Sequence, residues 1–224
     1  MEDYKNILQN NIFSSLNKNI LKKIFQEGEI VTYKTGKIIY SAETSDKIGL
    51  ILKGLFRVFI YSANGRQLTI RYAQEGELLG IVSSIKTGTD VGVQSLETST
   101  ILIFSIKTLK SISIQYPELA WKIAEECSTR VYDLIKEFHR LAFRNVRQRL
   151  AFHLLSISKS NSIKPYLSIG ISQQDLADAS GSVREVIVRE LRHFKKQGFI
   201  QSKGKQIEIL NPKALLEESK VDIE

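Results

Sequence analysis

The sequence predicts an α+β chain of three parts: a barrel or jelly roll of short antiparallel strands, one long helix, and a small helical domain closed by a hairpin. Three observations predict it. From Ile30 to about Leu109 the chain runs as short apolar-alternating segments broken by glycine, such as "IGLILKG" and "RQLTIRYA". From Glu118 to about Phe143 there is neither glycine nor proline, and apolar residues recur every three or four positions. Beyond residue 144 short helical patterns return and end in "FIQSKGKQIEIL", two strand-like runs around Lys203-Gly204-Lys205. The expected division is 1–116, 117–143 and 144–224.

Taken in order, residues 4–27 read as one or two short helices, with Leu16, Ile20, Leu21, Ile24 and Phe25 at helical spacing. Among the strands, Asn64-Gly65 sits between "FRVFIYSA" and "RQLTIRYA", the chemistry of a tight hairpin in which both residues tolerate positive φ. In the long helix Ala120, Ala124, Cys127, Val131, Leu134, Phe138 and Leu141 alternate steps of four and three, a coiled-coil seam over three heptads. Trp121, Ile123, Tyr132, Ile135 and Ala142 add a second apolar surface. Two apolar faces on one helix imply that one packs within the chain and the other meets a partner helix. This predicts a homodimer in which Cys127 is a buried seam residue. A further helix is expected from about Asn145 to Ser158, with Val146, Leu150, Leu154 and Ile157 inward, and "YLSIG" can add a strand.

The stretch "ISQQDLADASGSVREVIVRELRHFKKQGFI", residues 171–200, carries the functional signal. Ser172 followed by Asp175, and Ser182 followed by Glu185, each place a hydroxyl with an acid three residues later, so two helices are expected to start there. Ala179-Ser180-Gly181 makes the corner between them, as a helix-turn-helix requires. On a wheel of 100° per residue Val183, Ile187, Leu191 and Phe194 share a narrow sector, and Glu185, Arg189, Arg192 and Lys196 lie opposite. Residues 184–205 hold seven basic residues against two acidic ones, a bias that a merely solubilising face does not need. Arginine near a helix N-terminus can bond guanine O6 and N7 in a major groove, and a carboxylate can accept from cytosine N4. Arg184, Glu185 and Arg189 are therefore the expected base-reading residues. Ser172, Gln174, Ser182, Arg192, Lys196, Lys203 and Lys205 are the expected backbone or flanking contacts, which set register and affinity. The hairpin after Gly198 reads equally as a structural element or as a wing beside the duplex.

Composition bounds the alternatives. At 224 residues and 25.4 kDa the chain can bury a substantial core, and its formal charge of +8 favours a polyanionic partner. One cysteine, Cys127, excludes an internal disulfide or a cluster held by several thiolates of one chain. His139, His153 and His193 show no ligand spacing, so no metal site is expected. No apolar run reaches the length of a membrane span, and "MEDYKNILQN" opens acidic and polar, which predicts a cytoplasmic protein. No nucleophile-base pair, paired catalytic carboxylates or phosphate-binding loop is visible, so the chain is not expected to be an enzyme.

These residues resemble the Crp/Fnr family of bacterial transcription regulators over nearly the whole chain. "SVREVIVREL" is similar to the family's recognition helix, with Arg184, Glu185 and Arg189 at its Arg-Glu-x-x-x-Arg positions. "NVRQRLAFHLL" resembles its first helix after the hinge. "KGLFRVFIYSANGRQLTIRYAQEGELLG" resembles its β-roll, with Gly54, Gly65, Gly76 and Gly80 at the turns. The resemblance implies a β-roll sensor domain of the cyclic-nucleotide-binding type, a dimerisation helix, and a winged helix-turn-helix domain reading a palindrome of TGTGA-like half-sites. Val183 and Val186 replace residues that are small and polar in the family pattern.

The roll departs further. Where cyclic-nucleotide-binding members carry a ribose-holding acid, Ile81 follows Gly80, and Thr89 and Asp90 align with the Arg-Ser pair that grips the cyclic phosphate. An aspartate there repels a phosphate, so the usual cyclic-nucleotide mode is not expected. The lone cysteine argues against a four-cysteine iron-sulfur cluster, and no cofactor is expected. Gly76, Glu77, Leu78, Thr89 and Asp90 are the candidate effector-pocket residues, with the effector unknown. Expected partners are double-stranded DNA, a second copy of the chain and, for an activator, RNA polymerase. The competing reading is a ligand-binding regulatory module whose helical domain contacts another protein rather than DNA.

Overall fold

In a computed structural model the chain is described over residues 4, 7–8, 11–40, 46–85, 91–158, 167–203 and 206–220. Two compact units emerge: Met1–Phe59 with Ala73–Leu134, and Ile60–Tyr72 with Ile135–Glu224.

The first unit opens with helix α1, Lys18–Glu27, started by the Asn17 side chain, which accepts from the amides of Asn19 and Ile20. Strands β1 (Glu29–Tyr33), β2 (Ile38–Tyr40), β3 (Lys47–Lys53), β4 (Leu55–Tyr61), β5 (Gln67–Gln74) and β6 (Leu78–Leu79) follow. After the short helix α2, Ile81–Ile85, come β7 (Val91–Ser95) and β8 (Ser99–Ser105). The strands form two four-stranded sheets, β1-β8-β3-β6 and β2-β7-β4-β5, which is the β-roll that the alternating pattern predicts.

Strand β3 is buried along its whole middle, and its period of two explains how. Ile48, Leu50 and Leu52 point to one face and share a core with Phe13 and Ile24 of the N-terminal segment, with Leu109 and Ile112 of helix α3 (Ile106–Gln115), and with Leu119. Ile51, equally buried, points the other way. At the tight turn after β3, Gly54 has φ 106°, and a Cβ there would lie 2.1 Å from Ser99 Oγ; no other residue fits.

The Asn64-Gly65 hairpin forms, but not with two residues at positive φ. Only Gly65 adopts it, at φ 78°; Asn64 does not. The Gly65 amide donates to Ser62 O at 2.9 Å and the Ser62 amide to Arg66 O at 2.8 Å, so the connection is a four-residue turn closed by a left-handed glycine. Asn64 serves it through its side chain, which accepts from Ser62 Oγ at 2.6 Å.

Helix α4, Pro117–Phe143, runs through both units. Its seated face in the first unit is Leu119, Ile123 and Cys127. Cys127 thus turns toward the core of its own unit, while Trp121, Tyr132 and Ile135 of the second expected apolar surface stand exposed. About 100° around the wheel from the seated face lies a stripe of Ala124, Val131, Ile135, Phe138 and Ala142. Phe138 is 75% exposed and Val131 57%.

The second unit holds α5 (Val146–Ile157), β9 (Leu167–Ile169), α6 (Gln173–Ala179), α7 (Arg184–Lys196), β10 (Ile200–Lys203), β11 (Gln206–Ile209) and α8 (Pro212–Glu218). Helix α5 starts on a reciprocal cap: Asn145 Oδ1 accepts from the Gln148 amide and Gln148 Oε1 from the Asn145 amide, both at 3.0 Å. Leu150, Leu154 and Ile157 are buried as expected, and β9 joins β11 to make the three-stranded sheet β10-β11-β9.

Candidate nucleic-acid interface

Helices α6 and α7 form the expected helix-turn-helix. Ser172 starts α6, its Oγ accepting from the Asp175 amide at 3.0 Å. Gly181, with φ 55°, makes the corner. Ser182 does not cap α7, contrary to expectation: Val183 holds the cap position and has no oxygen to offer, and the Ser182 amide is turned to Ala177 O at 2.9 Å as part of the corner. Val183 is also not in the buried sector, because its extended backbone, φ −107° and ψ 155°, takes it off the helical wheel.

From there the wheel holds. Ile187, Leu191 and Phe194 are buried, and Arg184, Glu185, Arg189, Arg192 and Lys196 are exposed along the other side. Burying these three side chains contributes roughly 1.5–3 kcal/mol each, enough to hold the charged face outward. Glu190, nearly buried, adds a polar lock: it accepts from Arg147 Nε of α5 at 2.7 Å and from Arg189 Nε at 3.2 Å. Burial alone would raise its carboxyl, but the hydrogen bonds from Arg147 and Arg189 outweigh it and hold the group below the usual range. Arg147 also reaches Glu218 of α8 at 4.0 Å. Sequence reasoning counted Glu190 only as a charge; its place beside the buried Leu191 was the available signal.

Arg184 and Glu185 open α7, and Arg189 lies about a turn and a half further along it. Arg184 Nε donates to Gln173 Oε1 of α6 at 3.4 Å, and Arg189 is 72% exposed despite its contact with Glu190. Gln174 donates to Asp178 Oδ1 at 2.8 Å within α6. In the terminal hairpin Lys203 is exposed with Nζ 3.3 Å from Glu208 Oε1, while Lys205 lies outside the described residues. The charge is concentrated here: residues 60–72 and 135–224 carry 18 basic against 10 acidic residues, and the rest of the chain balances at 14 of each. The whole net charge of +8 therefore belongs to the unit that holds the helix-turn-helix.

The candidate effector pocket of the roll is built differently. Gly76 and Gly80 take φ 87° and 85°, and Leu78 and Ile81 are buried. Glu77 meets Arg130 Nη2 of α4 at 2.8 Å, and Arg130 is also paired to Glu126 and, at 3.5 Å, to Asp133. Arg130 went unnoticed in the sequence, where its flanking acids at i−4 and i+3 were the clue. Thr89 and Asp90 lie outside the described residues. Burial, then the neighbouring Glu126, push the Cys127 thiol up, with Arg130 opposing. Among the described residues no group of His, Cys, Asp and Glu is placed to hold a metal ion, and no helix is long and apolar enough to cross a membrane.

With that geometry in view, residues 148–218 match the Crp-like helix-turn-helix domain and residues 30–116 the cyclic nucleotide-binding domain. The chain belongs to the Crp/Fnr family. It is similar to the global nitrogen regulator of Synechococcus elongatus, 25% identical across 89% of this chain and 96% of that one. It is 22% identical to the cAMP-activated global transcriptional regulator CRP of Salmonella typhimurium, across 76% and 83%. The fold is that of a Crp/Fnr-family regulator from Eubacterium rectale, with a TM-score of 0.76, 23% identity, and coverage of 93% and 97%. It is also that of the c-di-GMP responsive regulator CLP of Xanthomonas campestris, with a TM-score of 0.71, 21% identity, and coverage of 86% and 99%. This Crp/Fnr protein is a DNA-binding transcription regulator with an effector-binding domain, not an enzyme.

Proposed function

We propose that the chain works as a homodimer that reads a palindromic DNA site, with Arg184, Glu185 and Arg189 in the major groove. The observation that carries this is the exposed basic face of α7 on a helix whose other side is buried by Ile187, Leu191 and Phe194. Arg192, Lys196, Lys203 and Lys205, with Ser172, Gln174 and Ser182, lie on or beside the same two helices and hairpin in the sequence and supply the phosphate contacts. The exposed apolar stripe of α4 supports pairing with a second copy, and a two-fold dimer sets its recognition helices about one DNA turn, roughly 34 Å, apart.

The effector differs from that of the cyclic-nucleotide-binding members. Ile81 is buried and apolar where the resemblance places an acid for the ribose, and Glu77 is already engaged by Arg130. Family membership does not fix the ligand, since one relative is named for cAMP and another for c-di-GMP. The test of DNA reading is selection from a random duplex library with purified ligand-free protein, followed by anisotropy on the selected site at two salt concentrations. A palindrome with a steep salt slope is expected. Sequence-blind binding both without ligand and with cellular metabolite extract would overturn the reading.

A further inference from the structure

The corner between α6 and α7 is held by residues outside both helices. Arg149 of α5 donates through Nε to Ser180 O at 2.8 Å and through Nη1 to Arg144 O and, at 3.5 Å, to Leu141 O. One guanidinium thus joins the end of α4 to the corner. One turn further along α5, His153 is 2% exposed, with Nδ1 3.3 Å from Tyr72 Oη of β5 and the two rings edge to face. The Ala179 backbone, last in α6, faces the same imidazole. Tyr72 Oη and His153 Nδ1 share one hydrogen bond whose donor is set by the ring's tautomer, and the buried Nε2 has no hydrogen-bond partner of its own among the described residues. The corner also leaves little room toward the β4–β5 hairpin: a Cβ on Gly181 would lie 3.6 Å from Leu68 of that hairpin and 3.3 Å from Leu141.

We propose that Tyr72 and His153 are positioning residues, linking the outer end of the β4–β5 hairpin to the corner that aims α7, in addition to the connection through α4. The role rests on the DNA-reading function proposed above. The chain path gives the link its use: Tyr72 precedes Gly76 of the candidate pocket loop by four residues on one continuous segment. A shift in that segment reaches the corner through His153 without passing along the helix seam. His153 has no carboxylate partner among the described residues and works by shape and one hydrogen bond, which is what a positioning group needs.

The test uses the full chain with Tyr72→Phe, His153→Leu, the double variant and His153→Gln, whose amide reproduces one acceptor and one donor. Hydrogen exchange at the Ser180 and Ser182 amides, which donate to Leu176 O and Ala177 O, reads the corner directly. Tyr72→Phe is expected to speed exchange there and to lower the ratio of selected-site to scrambled-site affinity, each by about threefold or more. His153→Leu should match it, the double variant should be no worse than either single, and His153→Gln should restore most of the wild-type value. Unchanged corner exchange in Tyr72→Phe, or additive losses in the double variant, would overturn the link. If wild-type protein fails to prefer the selected site, DNA reading fails, and the exchange pattern still decides the link.

Discussion

Arg130 and Glu77 meet at 2.8 Å, so a guanidinium on helix α4 holds the carboxylate of the loop that leads into β6. Glu126 and Asp133 crowd the same cation, giving three carboxylates around one positive charge. An anionic ligand approaching Arg130 must displace Glu77 before it gains anything.

Removing the cation should therefore cost more than removing one acid. Arg130, Glu77 and Glu126 are about four-fifths buried, between the surface and interior limits, so Arg130→Met is expected to destabilise the chain by about 1–3 kcal/mol. Glu77→Gln alone should cost less, since Glu126 and Asp133 still satisfy the arginine. Urea midpoints at constant m-value measure both. Equal losses would show that Glu77 dominates the cluster.

Contacts to bases and to phosphates separate by their dependence on sequence. Arg189→Ala is expected to lose roughly 1–3 kcal/mol on the selected site and much less on scrambled duplex. Lys203→Ala should weaken both alike and reduce the salt slope by about one. Anisotropy titrations on the two duplexes distinguish the cases, and a uniform loss for Arg189→Ala would remove it from the base-reading set.

How much of this could be read from the chain alone depends on the range of the forces involved. Local patterns carried far: the period of two in β3, the Ser172 cap, the Asn145 start of α5 and the buried sector of α7 all rest on residues within one or two turns. Failures came where a residue left its pattern. Val183 obeys the helical period but sits outside the helix, and Ser182 has a capping sequence that the corner geometry overrides. Asn64-Gly65 marked the hairpin correctly and the turn type wrongly, because a longer connection needs only one left-handed residue. Arg149 and His153 were out of reach, since each acquires its meaning from a partner distant in sequence, Ser180 and Tyr72; for Arg130 the acids at i−4 and i+3 were legible and Glu77 was not.

The apolar stripe of α4 should be the dimer contact. Phe138, three-quarters exposed in the single chain, is the largest side chain on it, and Val131 lies two turns earlier. Phe138→Glu is expected to raise the dimer dissociation constant at least about a hundredfold, because two glutamates would face each other across the two-fold axis. Since the residue is exposed in the monomer, its secondary structure should survive. Sedimentation velocity across a concentration series, with circular dichroism as control, decides this; an unchanged dimer would move the interface elsewhere.

His153 makes stability depend on pH in a defined direction. Complete burial, then the nearby Arg140 and Arg149 charges, lower its pKa from 6.5 to about 3, while the Ala179 carbonyl opposes the shift weakly. In the folded chain the ring therefore stays neutral at pH values where the unfolded chain has already bound a proton. Above about pH 6.5 neither state is protonated and the residue carries no penalty. Below it the unfolded state takes up a proton that the folded state refuses, so stability falls as pH drops, by at most about 1.4 kcal/mol per pH unit. Glu137 beside the same arginines is pushed up, chiefly by burial and against the Arg140 hydrogen bond, so it takes up its proton more readily in the folded state and works in the opposite sense. Glu137 is present in both proteins, so the difference between them isolates the histidine: from pH 6.5 to 5 wild-type protein should lose about 1–2 kcal/mol more than His153→Gln. Urea unfolding at closely spaced pH values measures the slopes, and identical slopes in the two proteins would show that His153 binds a proton in the folded state after all.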